Sequence, residues 1–337
     1  MTAAVDLLTM GESMVSLRSD GPLSAGGSLS MHVAGAESNV AVGAARLGHR
    51  VRWAGVVGAD PHGEFILRQL RSEGVEVYHR KEAARNTGVM FLEQRTADVS
   101  RAFYYRAGSA GSTLSIPDVH AALRDGARAV HLTGITAALS PEARRAVEYA
   151  AERATGEGIL VSLDVNYRAK LWSRDEARAA LAPIARHAAI VIASEDELDL
   201  VAPGADPGQD PDSDPDSGPA AGLSDADEFL LAKRLLEQGV REVVVKRGAA
   251  GAAAYTADGR WEVPAVPVTS IDTVGAGDAF TAGYLSALLD GEDVAGRLQR
   301  GAVAGAFAVS TAGDWEGLPS TGELALLGNH IAGSTQR

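Results

Sequence analysis

Short apolar runs along this chain alternate with helical patterns, and this alternation predicts an α/β sheet. Runs with the length and composition of buried strands occur at 130–133, 159–165, 190–193 and 243–246. Helix starts lie between them, as a proline after Ser140 and as a capping box at Ser173 and Glu176. Strands that alternate with helices make right-handed parallel crossovers, and such sheets bind ligands at the carboxyl ends of their strands. We therefore expect a doubly wound, mostly parallel sheet with helices on both faces.

The N-terminal third predicts one more strand and two helices. Residues 5–10 form a short apolar run, and the small-residue turn at 34–39 opens a helix that ends at Leu47. Asp60 followed by proline is an N-cap signal for a second helix, which ends near Gly74.

Two further segments predict a hairpin outside this regular pattern. Residues 87–93 and 101–106 alternate in polarity and carry valine, phenylalanine and tyrosine, with a long polar tip between them. A plain α/β sheet does not need this hairpin, so the hairpin predicts a small additional β element.

The strongest chemical signal is a small-residue turn that opens a helix. Residues 272–280 read Asp-Thr-Val-Gly-Ala-Gly-Asp-Ala-Phe, and a helical apolar pattern follows. Small side chains leave the amides of Gly275, Ala276 and Gly277 uncovered at a helix N-terminus, which favours an anion such as phosphate. Asp278 then has the position of a base that takes a proton from a hydroxyl attacking phosphorus. The alternative is a plain glycine turn with Asp278 as an ordinary first-turn acid.

The composition narrows the class of protein. Of the 337 residues, 46% are hydrophobic, which is enough for a sizeable core. Aromatic residues are scarce at 5% while alanine and glycine abound, which favours close helix–sheet packing over a β-sandwich. The absence of cysteine excludes disulfides and thiolate metal sites and suits a reducing, cytoplasmic compartment. The N-terminus predicts neither a signal peptide nor a membrane span. A net charge of -13 argues against a nucleic-acid partner.

Residues 203–222 differ from the rest of the chain. They are aspartate, proline, glycine and serine with hardly an apolar side chain. Such a segment cannot bury enough surface to offset the ordering of its backbone. We expect a disordered acidic insertion, and a functional acidic tether is the alternative.

Two arginines follow predicted strands and suggest an acidic substrate. Arg106 ends the second hairpin strand, and Arg168 follows a core strand within Asp-Val-Asn-Tyr-Arg. Two guanidinium groups at the rim of one crevice suit a carboxylate, which a guanidinium binds through two hydrogen bonds. The alternative is that each arginine is a surface side chain paired with a neighbouring acid.

These motifs together resemble the ribokinase-like (PfkB) family of carbohydrate kinases. Residues 272–285 resemble the family's C-terminal signature at nearly every position, and 34–39 resemble its N-terminal signature. The resemblance spans nearly the whole chain apart from the acidic insertion and implies a single kinase domain over 1–337. It also implies a β-strand lid, from approximately 11–34 and 87–107, that covers the sugar and joins a second subunit in a homo-oligomer. A lid suits phosphoryl transfer because it excludes water.

The resemblance also implies roles for the site residues. In the family, the aspartate at the place of Asp278 is the catalytic base, and the small residues before it form the anion hole. The glycine and asparagine at the places of Gly35 and Asn39 border the sugar. The loop of Asp60 faces the sugar as well, although helix capping accounts for Asp60 equally well.

Three motifs look like the 2-keto-3-deoxygluconate kinase branch of the family. They are Tyr-Tyr-Arg at 104–106, Asp-x-Asn-x-Arg at 164–168, and Gly-Asp-Trp-Glu-Gly-Leu-Pro at 313–319. In this branch, the residues at the places of Tyr104, Arg106 and Arg168 contact the sugar acid. The aspartate at the place of Asp314 lies close to it.

Two segments resemble the family's nucleotide side. Lys-Arg-Gly-x-x-Gly implies that Lys246, Gly248 and Gly251 lie beside the nucleotide phosphates. Ser194 to Glu197 occupies the place of the magnesium-linked motif Asn-x-x-Glu, with serine in place of asparagine. Glu197 would then organise Mg²⁺ through water, and a helix cap is the alternative.

The sequence thus predicts an ATP- and Mg²⁺-dependent kinase of a keto sugar acid, 2-keto-3-deoxygluconate above all. A kinase of a neutral ketose such as fructose is the alternative. A catalytically silent sugar- or nucleotide-binding regulator is more distant, because binding alone does not require Asp278. The chain contains no glycine-rich phosphate loop ending in Gly-Lys-Ser or Gly-Lys-Thr. No Gly-x-Gly-x-x-Gly follows a strand, which argues against a dinucleotide oxidoreductase.

Overall fold

The computed structural model describes residues 4–96, 99–202, 204 and 223–328, and the structural statements below concern these residues. The strands are β1 Val5–Met10, β2 Met14–Ser19, β3 Ser30–Ala34, β4 Val51–Gly58, β5 Glu76–Glu82, β6 Val89–Thr96, β7 Val99–Tyr105, β8 Ala127–Thr133, β9 Leu160–Asp164, β10 Ile190–Ser194, β11 Glu242–Lys246, β12 Ala252–Thr256 and β13 Gly259–Val263. The helices are α1 Ala36–Arg46, α2 Pro61–Ser72, α3 Ile116–Leu123, α4 Gly134–Leu139, α5 Pro141–Gly156, α6 Arg174–Ala185, α7 Asp225–Glu237, α8 Ala276–Leu289, α9 Val294–Val309 and α10 Leu324–Gly328.

The large sheet has the strand order β13-β12-β11-β10-β9-β8-β1-β4-β5. Neighbouring strands from β5 to β11 are parallel, and β12 and β13 add an antiparallel edge. The four runs predicted as buried strands are β8, β9, β10 and β11. The chain leaves β1 first toward β4 and later toward β8, so the strand order reverses between β1 and β8. A ligand crevice is expected outside the carboxyl ends of the strands at such a point. The predicted doubly wound, mostly parallel sheet is confirmed.

Helices cover both faces of the large sheet and bury two apolar clusters. One cluster includes Val147 of α5, and the other includes Val40 of α1 together with side chains of α8. Helices α8 and α9 approach closely, because a Cβ added to Gly283 would lie 2.7 Å from the carbonyl oxygen of Arg300. This close packing agrees with the chain's many small residues.

The predicted helix starts are confirmed by their capping hydrogen bonds. Asp60 Oδ1 accepts a hydrogen bond from the Gly63 amide at 2.8 Å, and Asp60 also accepts from the Thr87 amide, which ties α2 to the start of β6. Ser140 caps α5 in the same way, and Ser173 forms the predicted capping box of α6.

A second, four-stranded sheet has the order β3-β2-β6-β7, and we call it the small sheet. Its β6–β7 pair is the predicted hairpin, and both segments predicted as a lid contribute strands to it. It has an apolar cluster of its own, formed by Met14, Ala34, Met90 and Leu92. Because β2 begins four residues after β1 ends, the small sheet stands next to the carboxyl end of β1.

The predicted acidic insertion at 203–222 lies outside the described residues apart from Gly204, so its disorder stays a prediction. The single kinase domain over 1–337 also stays a prediction. Within the described ranges, no helix is both long enough and apolar enough to cross a bilayer.

Candidate active site

A cavity of about 1030 Å³ lies between the carboxyl edge of the large sheet and the small sheet. From the large sheet, residues that follow three adjacent strands line it, namely Glu12, Ile135 and Arg168. From the small sheet come Met14, Met90 and Tyr104. The cavity therefore occupies the crevice expected where the strand order reverses.

The cavity brings together the residues predicted to contact the phosphoryl acceptor. Its lining includes Gly35, Asn39, Tyr104, Arg106, Arg168, Asp278 and Asp314, together with Gly275 of the predicted anion hole. We call this lining, without Gly275, the acceptor side of the site. The other predicted residues lie at the ends of β10 and β11 or at the N-terminus of α8, and we call them the donor side. They are Ser194, Glu197, Lys246, Gly248, Gly251, Gly275, Ala276 and Gly277.

Asp278, the predicted base, lies in the first turn of α8 at the edge of the cavity. Asn39 Nδ2 donates a hydrogen bond to Asp278 Oδ2 at 2.8 Å, and Asn166 Nδ2 lies 3.5 Å from Oδ1. Burial raises the pKa of Asp278 and the nearby carboxylate of Asp164 raises it further, against the Asn39 hydrogen bond and nearby cations. A raised pKa makes the carboxylate a stronger proton acceptor.

Asn166 was not singled out from the sequence, although the motif Asp-x-Asn-x-Arg contains it. Its backbone has φ 41°, and it is the one non-glycine residue of the described chain with positive φ. Such a backbone conformation persists where the surrounding structure fixes it, often at functional sites, and here it places the Asn166 amide beside Asp278.

The glycine turn before α8 has the geometry expected of an anion site. Gly275 has φ 75°, and a Cβ there would lie 2.2 Å from the carbonyl oxygen of Asp314, so both backbone conformation and space require glycine. Of the three amides predicted to be uncovered, those of Gly275 and Gly277 have no hydrogen-bond partner among the described residues. The third prediction is wrong, because the Ala276 amide donates to the carbonyl oxygen of Thr273 at 3.4 Å. Unpaired first-turn amides and the helix dipole attract an anion at this position.

Arg106 lines the cavity but already has a carboxylate partner. Its Nε donates to Glu12 Oε2 at 2.7 Å, its Nη2 lies 2.5 Å from the same oxygen, and Ser109 Oγ also donates to Glu12. Glu12 is buried, and sequence reasoning missed it because a single glutamate after a strand carries no signal. If Arg106 contacts the acceptor as predicted, its guanidinium does so while it is also paired with Glu12.

Arg168 differs from Arg106 in this respect. Its side chain is exposed, Nη1 donates to its neighbour's carbonyl oxygen at 2.9 Å, and no carboxylate of the described residues lies within 4 Å. The loop that carries it is tied to the small sheet, because Lys170 Nζ donates to the carbonyl oxygen of Ala102 at 3.1 Å and lies over the ring of Tyr104. Arg168 thus presents an unmatched positive charge to the cavity.

Asp314, predicted to lie near the sugar acid, is buried at the cavity wall. Burial raises the pKa of Asp314 to about 6, although Arg18 opposes the shift. Arg18 Nη2 donates to Asp314 Oδ2 at 2.7 Å and Arg18 Nη1 donates to Asp272 Oδ2 at 2.9 Å. Nothing in the sequence marks Arg18, a lone arginine within a strand.

Lys246 supplies the positive charge of the donor side. Its Nζ donates to Asp164 Oδ2 at 2.7 Å, and Thr281 Oγ1 donates to the same oxygen at 3.1 Å. Burial alone would lower the pKa of Lys246, but Asp164 and two further carboxylates outweigh it and raise the pKa. A Cβ on Gly277 would lie 3.5 Å from Nζ, so the ammonium stands beside the first turn of α8. Asp164 accounts for one of its three N–H donors.

The other donor-side residues are engaged within the protein. Glu197 Oε1 accepts a hydrogen bond from the Tyr167 amide at 2.7 Å, and Oε2 accepts from the Ser194 amide at 2.9 Å. The capping alternative therefore has its hydrogen bonds, and the magnesium role of Glu197 stays a prediction. Gly248 and Gly251 both have positive φ and form the turn between β11 and β12.

The comparisons with known proteins agree with this geometry. The model of the pfkB family carbohydrate kinases matches residues 3–321. A 2-dehydro-3-deoxygluconokinase of Thermoproteus tenax is 35% identical over 95% of this chain and 93% of its own length. A 2-dehydro-3-deoxygalactonokinase of Haloferax volcanii is 32% identical over 93% of each chain.

A solved structure shows the same arrangement of elements. The putative ribokinase II of E. coli, in complex with ATP and Mg²⁺, superposes with a TM-score of 0.82 at 25% identity, over 96% of this chain and 98% of its own. The family resemblance predicted from the motifs is confirmed, because the family match extends from the first strand to beyond the loop at 313–319. The chain belongs to the pfkB family of carbohydrate kinases.

Proposed function

We propose that this chain transfers the γ-phosphoryl group of ATP to a primary hydroxyl of a keto sugar acid, and that 2-keto-3-deoxygluconate is this acid. The observation that carries the proposal is Arg168, whose guanidinium has no carboxylate partner within 4 Å in the described chain and lines the same cavity as Asp278. A substrate carboxylate would match that charge, whereas a neutral sugar would not. The names of the two relatives above support a keto sugar acid as the substrate class.

The acceptor hydroxyl is activated by Asp278. This carboxylate takes the hydroxyl proton as the oxygen attacks phosphorus, and its raised pKa favours that transfer. Asn39 holds Oδ2 of this carboxylate by its hydrogen bond at 2.8 Å, and Oδ1, whose contact with Asn166 Nδ2 is longer at 3.5 Å, accepts the proton. Arg168, with Tyr104 and Arg106 nearby, orients the acid in the cavity.

The donor side fits the phosphates of ATP. The amides of Gly275 and Gly277 and the remaining N–H donors of Lys246 bind phosphoryl oxygens as charge develops on them. When bound, Mg²⁺ neutralises part of the phosphate charge. Within the described chain no group of three or more His, Asp or Glu side chains is arranged to hold a metal. The phosphates and water would carry the ion, with Glu197 as a contact through water.

The small sheet would exclude water from this reaction and join a second copy of the chain. Several of its large apolar side chains are exposed, namely Met31, Val99 and Tyr105. Pairing of two small sheets would bury them. Light scattering on the wild type and on Met31→Lys tests this: a dimer that the variant converts to a monomer is expected, and a wild-type monomer would exclude it.

The substrate is tested by measuring ATP consumption by the purified protein with 2-keto-3-deoxygluconate, 2-keto-3-deoxygalactonate and fructose, and by identifying the phosphorylated product. We expect the highest kcat/KM with 2-keto-3-deoxygluconate and a 6-phosphate product. A higher value for the galactonate epimer would keep the acid-binding site and change the substrate. A higher value for fructose would favour the neutral-ketose alternative, and no consumption with any acceptor would favour a regulator.

A further inference from the structure

Arg18 connects the small sheet to the turn that precedes α8. Its guanidinium bridges Asp272 at 2.9 Å and Asp314 at 2.7 Å, and the exposed fractions of the three side chains are 12%, 14% and 6%. Charge-assisted hydrogen bonds shielded from water are the strong ones. Arg18 does not itself line the cavity, so any effect on the reaction passes through its two partners.

Both partners shape the anion-binding turn. Asp272 Oδ1 accepts a hydrogen bond from the Val274 amide at 3.0 Å, and its Oδ2 accepts from the Gly313 amide at 3.3 Å. The backbone of Asp314 presses against Gly275, since its carbonyl oxygen lies 2.2 Å from where a Cβ would be. A single guanidinium thus fixes the two segments that enclose the turn.

The charges around the turn also call for a cation. Asp272, Asp278 and Asp314 place three carboxylates next to amides that receive a phosphoryl group. Without a neighbouring cation, the carboxylates of Asp272 and Asp314 would repel that group. Arg18 forms a direct ion pair with each of these two carboxylates.

A second contact between the same parts of the protein provides a comparison. His32 of β3 pairs with Glu316, with 2.7 Å between Nδ1 and Oε1, and both side chains are about 30% exposed. Neither residue lines the cavity or bonds Asp272 or Asp314. The His32–Glu316 contact therefore attaches the small sheet without contacting the turn, and it can be removed separately from the Arg18 contacts.

We propose that Arg18 is a positioning residue for phosphoryl transfer, which fixes the turn at 272–275 against the small sheet and neutralises Asp272 and Asp314. It thereby makes the anion-binding amides depend on the small sheet being in place over the acceptor. The role deepens the proposed kinase function and rests on it.

The test compares Arg18→Met and Arg18→Lys with the control His32→Gln. The measurements are kcat and KM for the acceptor, ATP hydrolysis without acceptor, and melting temperature. In Arg18→Met we expect kcat to fall about 30-fold, within the range for lost electrostatic support of a transferring group, with KM changed less than about 3-fold. Arg18→Lys keeps the charge but cannot bridge both acids, so its kcat should fall only about 3- to 10-fold.

The rate of ATP hydrolysis without acceptor, relative to the rate of sugar phosphorylation, should rise in both Arg18 variants. In His32→Gln this ratio should stay at the wild-type level, and kcat should remain within about 2-fold of wild type. Wild-type kcat in Arg18→Lys would overturn the proposal even if Arg18→Met does not fold. Equal losses in Arg18→Met and His32→Gln would also overturn it. The acceptor is whichever sugar gives the wild type its highest kcat/KM, so failure of the sugar-acid assignment is a separate result.

Discussion

The acceptor side and the donor side of this active site are built differently. On the acceptor side, residues from many segments converge on one cavity, and Arg168 keeps its charge unmatched within the described chain. On the donor side, polar groups are already engaged: Glu197 accepts hydrogen bonds from two backbone amides, and Arg247, which follows Lys246, is held by two hydrogen bonds to the buried Glu228. The donor side therefore relies on Lys246 and on helix-terminus amides. Substrate choice should therefore be sensitive to acceptor-side substitutions. The rate of phosphoryl transfer should be sensitive to substitutions of a few donor-side groups.

The largest effect is expected at the residue where the two sides meet. Replacing Asp278 by Asn removes the base and keeps the shape, so turnover should fall by about 10² to 10⁴. ATP binding, measured by calorimetry, should change little because the anion-binding amides remain. A variant with near-normal turnover would show that Asp278 is an ordinary first-turn acid.

The two acceptor-side arginines should separate in stability. Arg106→Ala leaves the buried carboxylate of Glu12 without its partner, which costs about 3 kcal/mol of unfolding free energy by analogy with other broken buried pairs. Arg168→Ala removes an exposed side chain and should change it by less than about 0.5 kcal/mol. Urea unfolding of both variants is the measurement, and equal losses would contradict the distinction between a paired and an unmatched arginine.

On the donor side, Lys246→Met should lower kcat by about 10²-fold, because it removes a positive charge from beside the first turn of α8. The matched control is Lys233→Met, an exposed lysine on α7 that should behave as wild type. Steady-state kinetics at saturating acceptor provide the comparison. A Lys246 variant with wild-type kcat would mean that the amides suffice and that this lysine only neutralises Asp164.

The raised pKa of Asp314 predicts a smaller effect of pH on stability. With a pKa of about 6 in the folded protein and an ordinary value of 3.8, Asp314 binds a proton in the folded state that the unfolded chain releases between these two values. Its contribution to stability is therefore present below about pH 4 and is lost as pH rises to about 6, a change on the order of 2 kcal/mol. Unfolding of wild type and Asp314→Asn across pH 4 to 7 checks this, since the variant should lack that slope.

Much of this organisation was predictable from local patterns. The order of strands and helices follows from apolar runs and caps, and the turn at 272–278 carries its own chemistry in its small residues. The acceptor-side residues belong to recognisable motifs, several of which lie at strand ends.

Other contacts depend on distant partners that no local pattern reveals. Arg18 bonds residues more than 250 positions away, and Glu12 finds Arg106 94 positions away. Each is a single charged residue in or after a strand, and only the packing of the small sheet against the large one gives it a partner.

The most direct test of the account concerns Arg168 and the carboxylate of the acceptor. The measurement is kcat/KM for 2-keto-3-deoxygluconate and for fructose, in the wild type and in Arg168→Ala. If Arg168 binds the carboxylate, its loss should remove roughly 1.5 to 3 kcal/mol of transition-state stabilisation, which lowers kcat/KM for the acid about 10- to 150-fold. The value of kcat/KM for fructose should change far less. Equal losses on the two substrates, or a wild type that prefers fructose, would contradict the account.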